Sequence, residues 1–123
     1  MTGELWREIC KINAQVLIII KRQVKMNNFQ NLISGDKPVL VDFFATWCGP
    51  CKMMHPILED ISKQVGDKAT VIKIDVDKAE NLAMQYGIRS VPTLMIFKQG
   101  EMVWREAGVH DAATMVSTLR RFM

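Results

Sequence analysis

The 123-residue chain lacks any long apolar run. Its longest, VLIII at positions 16–20, is far short of the ~20 residues that a membrane-spanning helix needs. The same run is a poor core for a secretory leader. Such a core takes ~7–15 apolar residues followed by small ones, and here Lys21 and Arg22 follow instead. Cysteine is scarce, and its count of 3 is odd, which argues against a secreted disulfide framework. With 49% hydrophobic residues, the chain can build a core without covalent staples. Dense basic runs are absent as well. The 16 basic and 13 acidic residues are mixed along the chain, so nucleic acid is not an expected partner. The most basic stretch, KRQVK at 21–25, reads as a solvated or edge-strand segment. No internal repeat or low-complexity segment is visible. What remains is a chain of single-domain length, expected in the reducing cytoplasm. In that compartment a Cys-x-x-Cys is catalytic or metal-binding more often than structural.

From Asp36 onward, punctuation and periodicity divide the chain clearly. KPVLVDFF reads as a strand with apolar residues at nearly every position, broken only by Asp42. A strand without polar alternation is usually covered on both faces. CGPCKMMHPILEDISKQVG reads as a helix, with Met54, Ile57, Leu58, Ile61 and Val65 at spacings of three and four and Gly66 as its stop. Pro56 lies inside that pattern, so a kink is expected near Met53–His55. Thr70 to Val76 reads as a second strand, followed by a short helix at Ala79–Tyr86. TLMIFKQGEMVWREAG reads as a hairpin turning at Lys98–Gly100. Asp111 is placed to cap a last helix with Met115, Val116, Leu119 and Phe122 inward. Before Asp36, residues 27–35 read as a short capped helix with Phe29, Leu32 and Ile33 inward. QVLIIIKRQV reads as a strand joining the sheet, and Leu5, Ile9 and Ile12 lie at helical spacing. The element order describes an α/β fold, a central mixed sheet covered by helices.

Cys48 and Cys51 stand where the buried strand gives way to the helix. A helix N-terminus offers unpaired N–H groups and partial positive charge, which together stabilise an anion, here a thiolate. Gly49 and Pro50 suit the first turn, because proline needs no N–H there. Lowering a thiol from ~8.5 to ~7 takes roughly 2 kcal/mol, near the upper limit of what a helix terminus supplies. A pKa near ambient pH is also close to optimal for an attacking thiol. Two other uses stay open. A zinc site needs four ligands, and beyond this pair the chain offers only Cys10, His55 and His110. Two inert buried cysteines are the other reading. Redox chemistry is favoured over both.

WCGPCK following VDFFAT, together with YGIRSVPTLMIFKQGE, closely resembles the thioredoxin family. The likeness runs from about Asn27 to the C-terminus. It implies the thioredoxin fold, a central mixed β-sheet flanked by helices on both faces. It also implies reduction of protein disulfides, with no bound cofactor and with electrons arriving from NADPH through a flavin-dependent thioredoxin reductase. The implied partners are that reductase and disulfide-containing client proteins, and a monomer is expected. By resemblance Cys48 is the exposed nucleophile and Cys51 the buried resolving thiol. Asp42 corresponds to the family's buried carboxylate. An ionisable group in an apolar strand should hold its proton to higher pH, and so could deprotonate Cys51 through water. Lys73 matches a lysine beside that carboxylate, although an exposed strand lysine is an equal alternative. Gly49 and Pro50 tune the couple toward reduction. Pro92 is expected to be cis and to face the disulfide, with the Val91 backbone pairing an extended substrate segment. Trp47, Gly49, Pro50, Gly87, Ile88 and Gly108 are expected to form a shallow apolar contact surface. For Trp47, an ordinary core position is the alternative.

Three features depart from the family. Phe44 stands where the best-known members carry a second tryptophan. His55 occupies a position that is usually small or apolar. It lies seven residues after Cys48, too far for direct proton transfer, and is expected to be a partly exposed helix residue. The N-terminus is longer than the family requires. Residues 1–15 are read as an extension, either loosely attached or from an over-called start, with 16–123 as the thioredoxin domain. Met26 is an alternative start, and Cys10 has no assigned role. A rival function is a binding subunit in which the same surface is used and redox is incidental.

Overall fold

The computed structural model describes residues 26–123. In chain order these form helix α1 (Met26–Ile33), strand β1 (Val39–Phe44), helix α2 (Gly49–Val65), strand β2 (Thr70–Asp75), helix α3 (Glu80–Gln85), strands β3 (Thr93–Lys98) and β4 (Glu101–Ala107), and helix α4 (Ala112–Arg120). The expected strand at QVLIIIKRQV, the helical spacing before it, the extension at 1–15 and Cys10 all lie outside the described residues.

Among the described residues the sheet runs β2-β1-β3-β4. β1 pairs parallel with β2, placing Asp42 opposite Lys73 and Phe44 opposite Asp75. β3 is antiparallel to both β1 and β4, which makes the sheet mixed. The near-continuous apolar run of β1 has the cause that its sequence suggests: every residue of the strand is buried because both faces are covered. Alternate side chains serve two cores. Val39, Val41 and Phe43 join Phe29 and Ile33 of α1 and Leu82 of α3 on one face. Leu40 joins Met54, Leu58 and Ile61 of α2 and Met115, Val116 and Leu119 of α4 on the other. Asp42 and Phe44 share the parity of Leu40 and so face α2.

The turns follow local chemistry. Gln99 and Gly100 both have positive φ (53° and 84°) between the paired residues Lys98 and Glu101, as the tightest hairpins require. The same turn anchors α1, since the amides of Gln99 and Gly100 donate to the carbonyls of Gly35 and Ile33. Asp111 caps α4 as expected, its Oδ1 accepting from the Thr114 amide at 2.7 Å. That hydrogen bond holds the Asp111 carboxyl below its ordinary value. Pro56 lies inside α2 without breaking it, although it has no N–H for the carbonyl four residues earlier. β2 ends at Asp75 rather than Val76, but the Val76 amide still donates to the Phe44 carbonyl at 2.9 Å.

Candidate active site

β1 ends at Phe44, and the chain turns through Ala45 and Trp47 to start α2. Cys48 is the N-cap of that helix, and its Sγ accepts from the Cys51 amide at 3.1 Å. This is the interaction a helix terminus offers an anion, with sulfur in the accepting role. Pro50 sits in the first turn, where no donor is missed. The helical spacing brings the Cys48 and Cys51 Cα atoms to 5.3 Å, and the two sulfurs are joined in a disulfide, within the normal range for one. Cys51 is fully buried and Cys48 is 5% exposed. In the disulfide form Cys48 is therefore not the exposed side chain that the resemblance implies. It packs with Phe44, Ala45 and Cys51, with Val76 and Val91 alongside.

The Val91–Pro92 peptide bond is cis. The Val91 carbonyl oxygen lies 3.5 Å from Cys48 Sγ, so this loop meets the disulfide directly. Val91 is half-buried, whereas Pro92 itself is buried. A shallow groove of about 340 Å³ opens beside the cysteines, lined by Trp47, Val76, Ile88, Arg89, Ser90 and Val91. Trp47 is 71% exposed, which removes the alternative of a core tryptophan. Its indole N–H donates to Asp77 Oδ2 at 2.9 Å, fixing the ring at the groove mouth. Gly49, Pro50 and Gly87 are exposed, but they and Gly108 are not among the groove-lining residues. Gly108 instead donates its amide to the Pro92 carbonyl at 2.8 Å.

Several contributors have no signal in the sequence. Asp77 follows Trp47 by 30 residues. Arg105 of β4 donates to the carbonyls of Tyr86 and Gly87 at 2.5 and 3.0 Å, holding the α3 end that leads to Ile88. Gly87 has φ 60° there, a conformation that favours glycine. Neither contact leaves a periodicity or a motif. Arg89 and Ser90 could have been suspected only from their place just before Val91 and Pro92.

Behind the disulfide, Asp42 is fully buried and Lys73 is 1% exposed. The alternative of an exposed strand lysine is therefore wrong: α2 covers that face of the sheet. Neither Asp42 oxygen has a hydrogen-bond partner among the described residues. Burial pushes the Asp42 carboxyl up to about 7, with Lys73 opposing the shift. Burial likewise pushes Lys73 down to about 7, with Asp42 opposing. Among the described residues no group of three or more His, Cys, Asp and Glu side chains could hold a metal. No described helix is long and apolar enough to cross a membrane.

Comparison with known proteins agrees with this geometry. The thioredoxin family model matches residues 20–121. The chain belongs to the thioredoxin family. It is 50% identical over 97 residues to a thioredoxin-like protein of Synechocystis, covering 78% of this chain and 92% of that one. A thioredoxin of the same organism is 46% identical over 94 residues, covering 76% and 88%. Among solved structures, a thioredoxin variant from Halobacterium salinarum has a TM-score of 0.74 at 38% identity, covering 82% of this chain and 87% of that one. Thioredoxin from Malassezia sympodialis gives 0.72 at 38% identity, covering 80% and 88%. The expected fold is thereby established, and so is the activity. Like other thioredoxins, this chain is a protein-disulfide oxidoreductase that works by thiol–disulfide exchange at the Cys48–Cys51 pair.

Proposed function

We propose that this thioredoxin works in the cytoplasm as a reductant of client-protein disulfides and is recharged by a thioredoxin reductase using NADPH. The observation that carries the reading is the position of Cys48. It is at once the N-cap of α2, a neighbour of the Val91 carbonyl at 3.5 Å, and adjacent to the Trp47 groove. An extended client segment in that groove can pair with the Val91 backbone and set its disulfide against Cys48. The Cys48 thiolate attacks one client sulfur, forming a mixed disulfide and releasing the other client sulfur as a thiolate. Cys51 then gives its proton to Asp42 and attacks Cys48 Sγ. The Cys48–Cys51 bond forms, the mixed disulfide breaks, and the second client thiolate leaves. Two electrons have passed from the dithiol to the client. Asp42 suits the base role because its proton affinity is raised to about 7, near the pH at which it must both take and return a proton. Gly49 and Pro50 place no charged side chain between the two cysteines, consistent with a reducing couple.

The test is insulin reduction coupled to NADPH consumption in the presence of a thioredoxin reductase. The intact chain is expected to turn over, and the Cys48→Ser/Cys51→Ser double variant to be inactive. The potential is expected near about −270 mV, the reference value for thioredoxin itself, and not near the about −180 mV of a disulfide isomerase. A potential at the isomerase value, or turnover that survives the double substitution, would overturn the reading.

A further inference from the structure

Two of the departures from the family pattern, Phe44 and His55, meet in space at Lys73. The His55 ring packs edge-on against Phe44, with centroids 5.7 Å apart. The Lys73 Nζ lies over the same Phe44 ring at 4.9 Å. It also contacts His55 Nδ1, with Nε2 at 3.5 Å. A lysine ammonium can only donate, so the ring nitrogen facing it accepts. Lys73 is the direct cross-strand neighbour of Asp42, yet neither Asp42 oxygen receives a hydrogen bond. The buried amine thus meets the helix histidine and the aromatic face and makes no hydrogen bond to the carboxyl beside it.

We propose that His55 is a positioning residue, which accepts a hydrogen bond from Lys73 and holds that cation off Asp42, leaving the buried carboxyl available to take the Cys51 proton. A direct ion pair would have the opposite effect. A cation in contact with a carboxylate favours its charged form and makes it a poorer base. Phe44 contributes through its ring face, a second favourable seat for the ammonium. The other titratable or charged side chains on the elements packed around His55 are few. They are Cys51, Lys52, Glu59, Asp60 and Lys63 on α2 itself, Asp42 on β1, Lys73 and Asp75 on β2, and Arg120 on α4. Glu59 has one carboxylate oxygen buried without a hydrogen-bond partner and the other 3.4 Å from Lys63. α4 turns Met115, Val116 and Leu119 toward α2.

The inference rests on the reading of Asp42 as the base, and the test keeps the two separable. The Asp42 carboxyl is followed by carbon NMR against pH in the reduced full-length protein, its His55→Ala variant and its His55→Gln variant. Alanine removes the acceptor and releases Lys73, so the Asp42 midpoint should fall by about one pH unit. Glutamine retains an acceptor oxygen at similar reach, and its midpoint should fall by less than half as much. The acid limb of the single-turnover resolution rate should move with the midpoint. A midpoint that stays put or rises in His55→Ala, or equal shifts in both variants, would overturn the proposal. Equal shifts would mean that an acceptor at this position does not hold Lys73. Asp42→Asn tests the underlying reading separately: if it resolves at the parental rate, the base role fails, whatever the histidine variants do to the carboxyl.

Discussion

Replacing Asp42 with asparagine should make this protein more stable in a strongly pH-dependent way. The carboxyl is fully buried without a hydrogen-bond partner, and burial raises it from 3.8 to about 7. The unfolded chain loses this proton near pH ~4. Between there and about 7 the native state holds more protons than the unfolded state, so stability falls as pH rises. The loss is complete above the folded value. A difference of about 3 units at ~1.36 kcal/mol per unit gives about 4 kcal/mol. Lys73 reduces this gain, because in Asp42→Asn it loses the carboxylate that supports its charge. A net gain of roughly 2–4 kcal/mol is expected at alkaline pH. At pH ~4 the carboxyl is protonated when folded and is replaced by a neutral group of the same shape, so the gain should nearly vanish. The assay is urea unfolding of both oxidised proteins at about pH 4.5 and 8.5, with midpoints separating by about 1–2 M at the higher pH and by roughly a quarter of that at the lower. A destabilised variant, or a gain equal at both pH values, would refute the account of an uncompensated buried charge.

Other outcomes follow from single contacts. Cys51→Ser should accumulate the mixed disulfide on Cys48, visible by mass as a client adduct, because the thiol one helical turn away that would release it is gone; prompt release would remove Cys51 from the resolving role. Trp47→Ala should raise KM for protein clients more than it lowers kcat, since the exposed ring shapes the groove; a pure kcat effect would contradict this. Arg105→Ala should speed amide exchange at Ile88 and neighbouring residues by freeing the Tyr86 and Gly87 carbonyls, and unchanged exchange would show that those bonds do not hold the loop. Phe29→Ala should cost about 3–5 kcal/mol in urea unfolding, because the ring is fully buried edge-on against Tyr86 and Phe97; a cost under about 1 kcal/mol would be inconsistent with that packing.

Much of the fold was legible because its signals are local. The two-sided burial of β1, the spacing of α2, the cap at Asp111 and the turn at Gln99–Gly100 each depend on residues within a few positions of one another. The redox pair was legible for the same reason. A strand end, two cysteines, a glycine and a proline occupy one helical turn, and their chemistry follows from that turn. Asp42 stood out because a carboxyl in an apolar run needs an explanation. Lys73 did not, since a single strand lysine reads equally well as solvated or buried until the helix above it is placed.

By itself, then, the amino-acid sequence determined the order of elements from residue 27 onward, the family and the Cys48–Cys51 pair. Backbone preference, hydrophobic period and helix-end electrostatics all act over short separations. Only the tertiary structure decided which side chains meet across the sheet and its covering helices. It brought Trp47 to Asp77, Arg105 to the end of α3, and the Cys48 sulfur to the Val91 carbonyl. It also changed the meaning of His55. In the sequence this was a histidine one residue before a helix proline, with no role to give it. In the fold, α2 crosses the face of β1 and β2 and sets that ring on Lys73. The contact arises from long-range packing, to which no local pattern is sensitive.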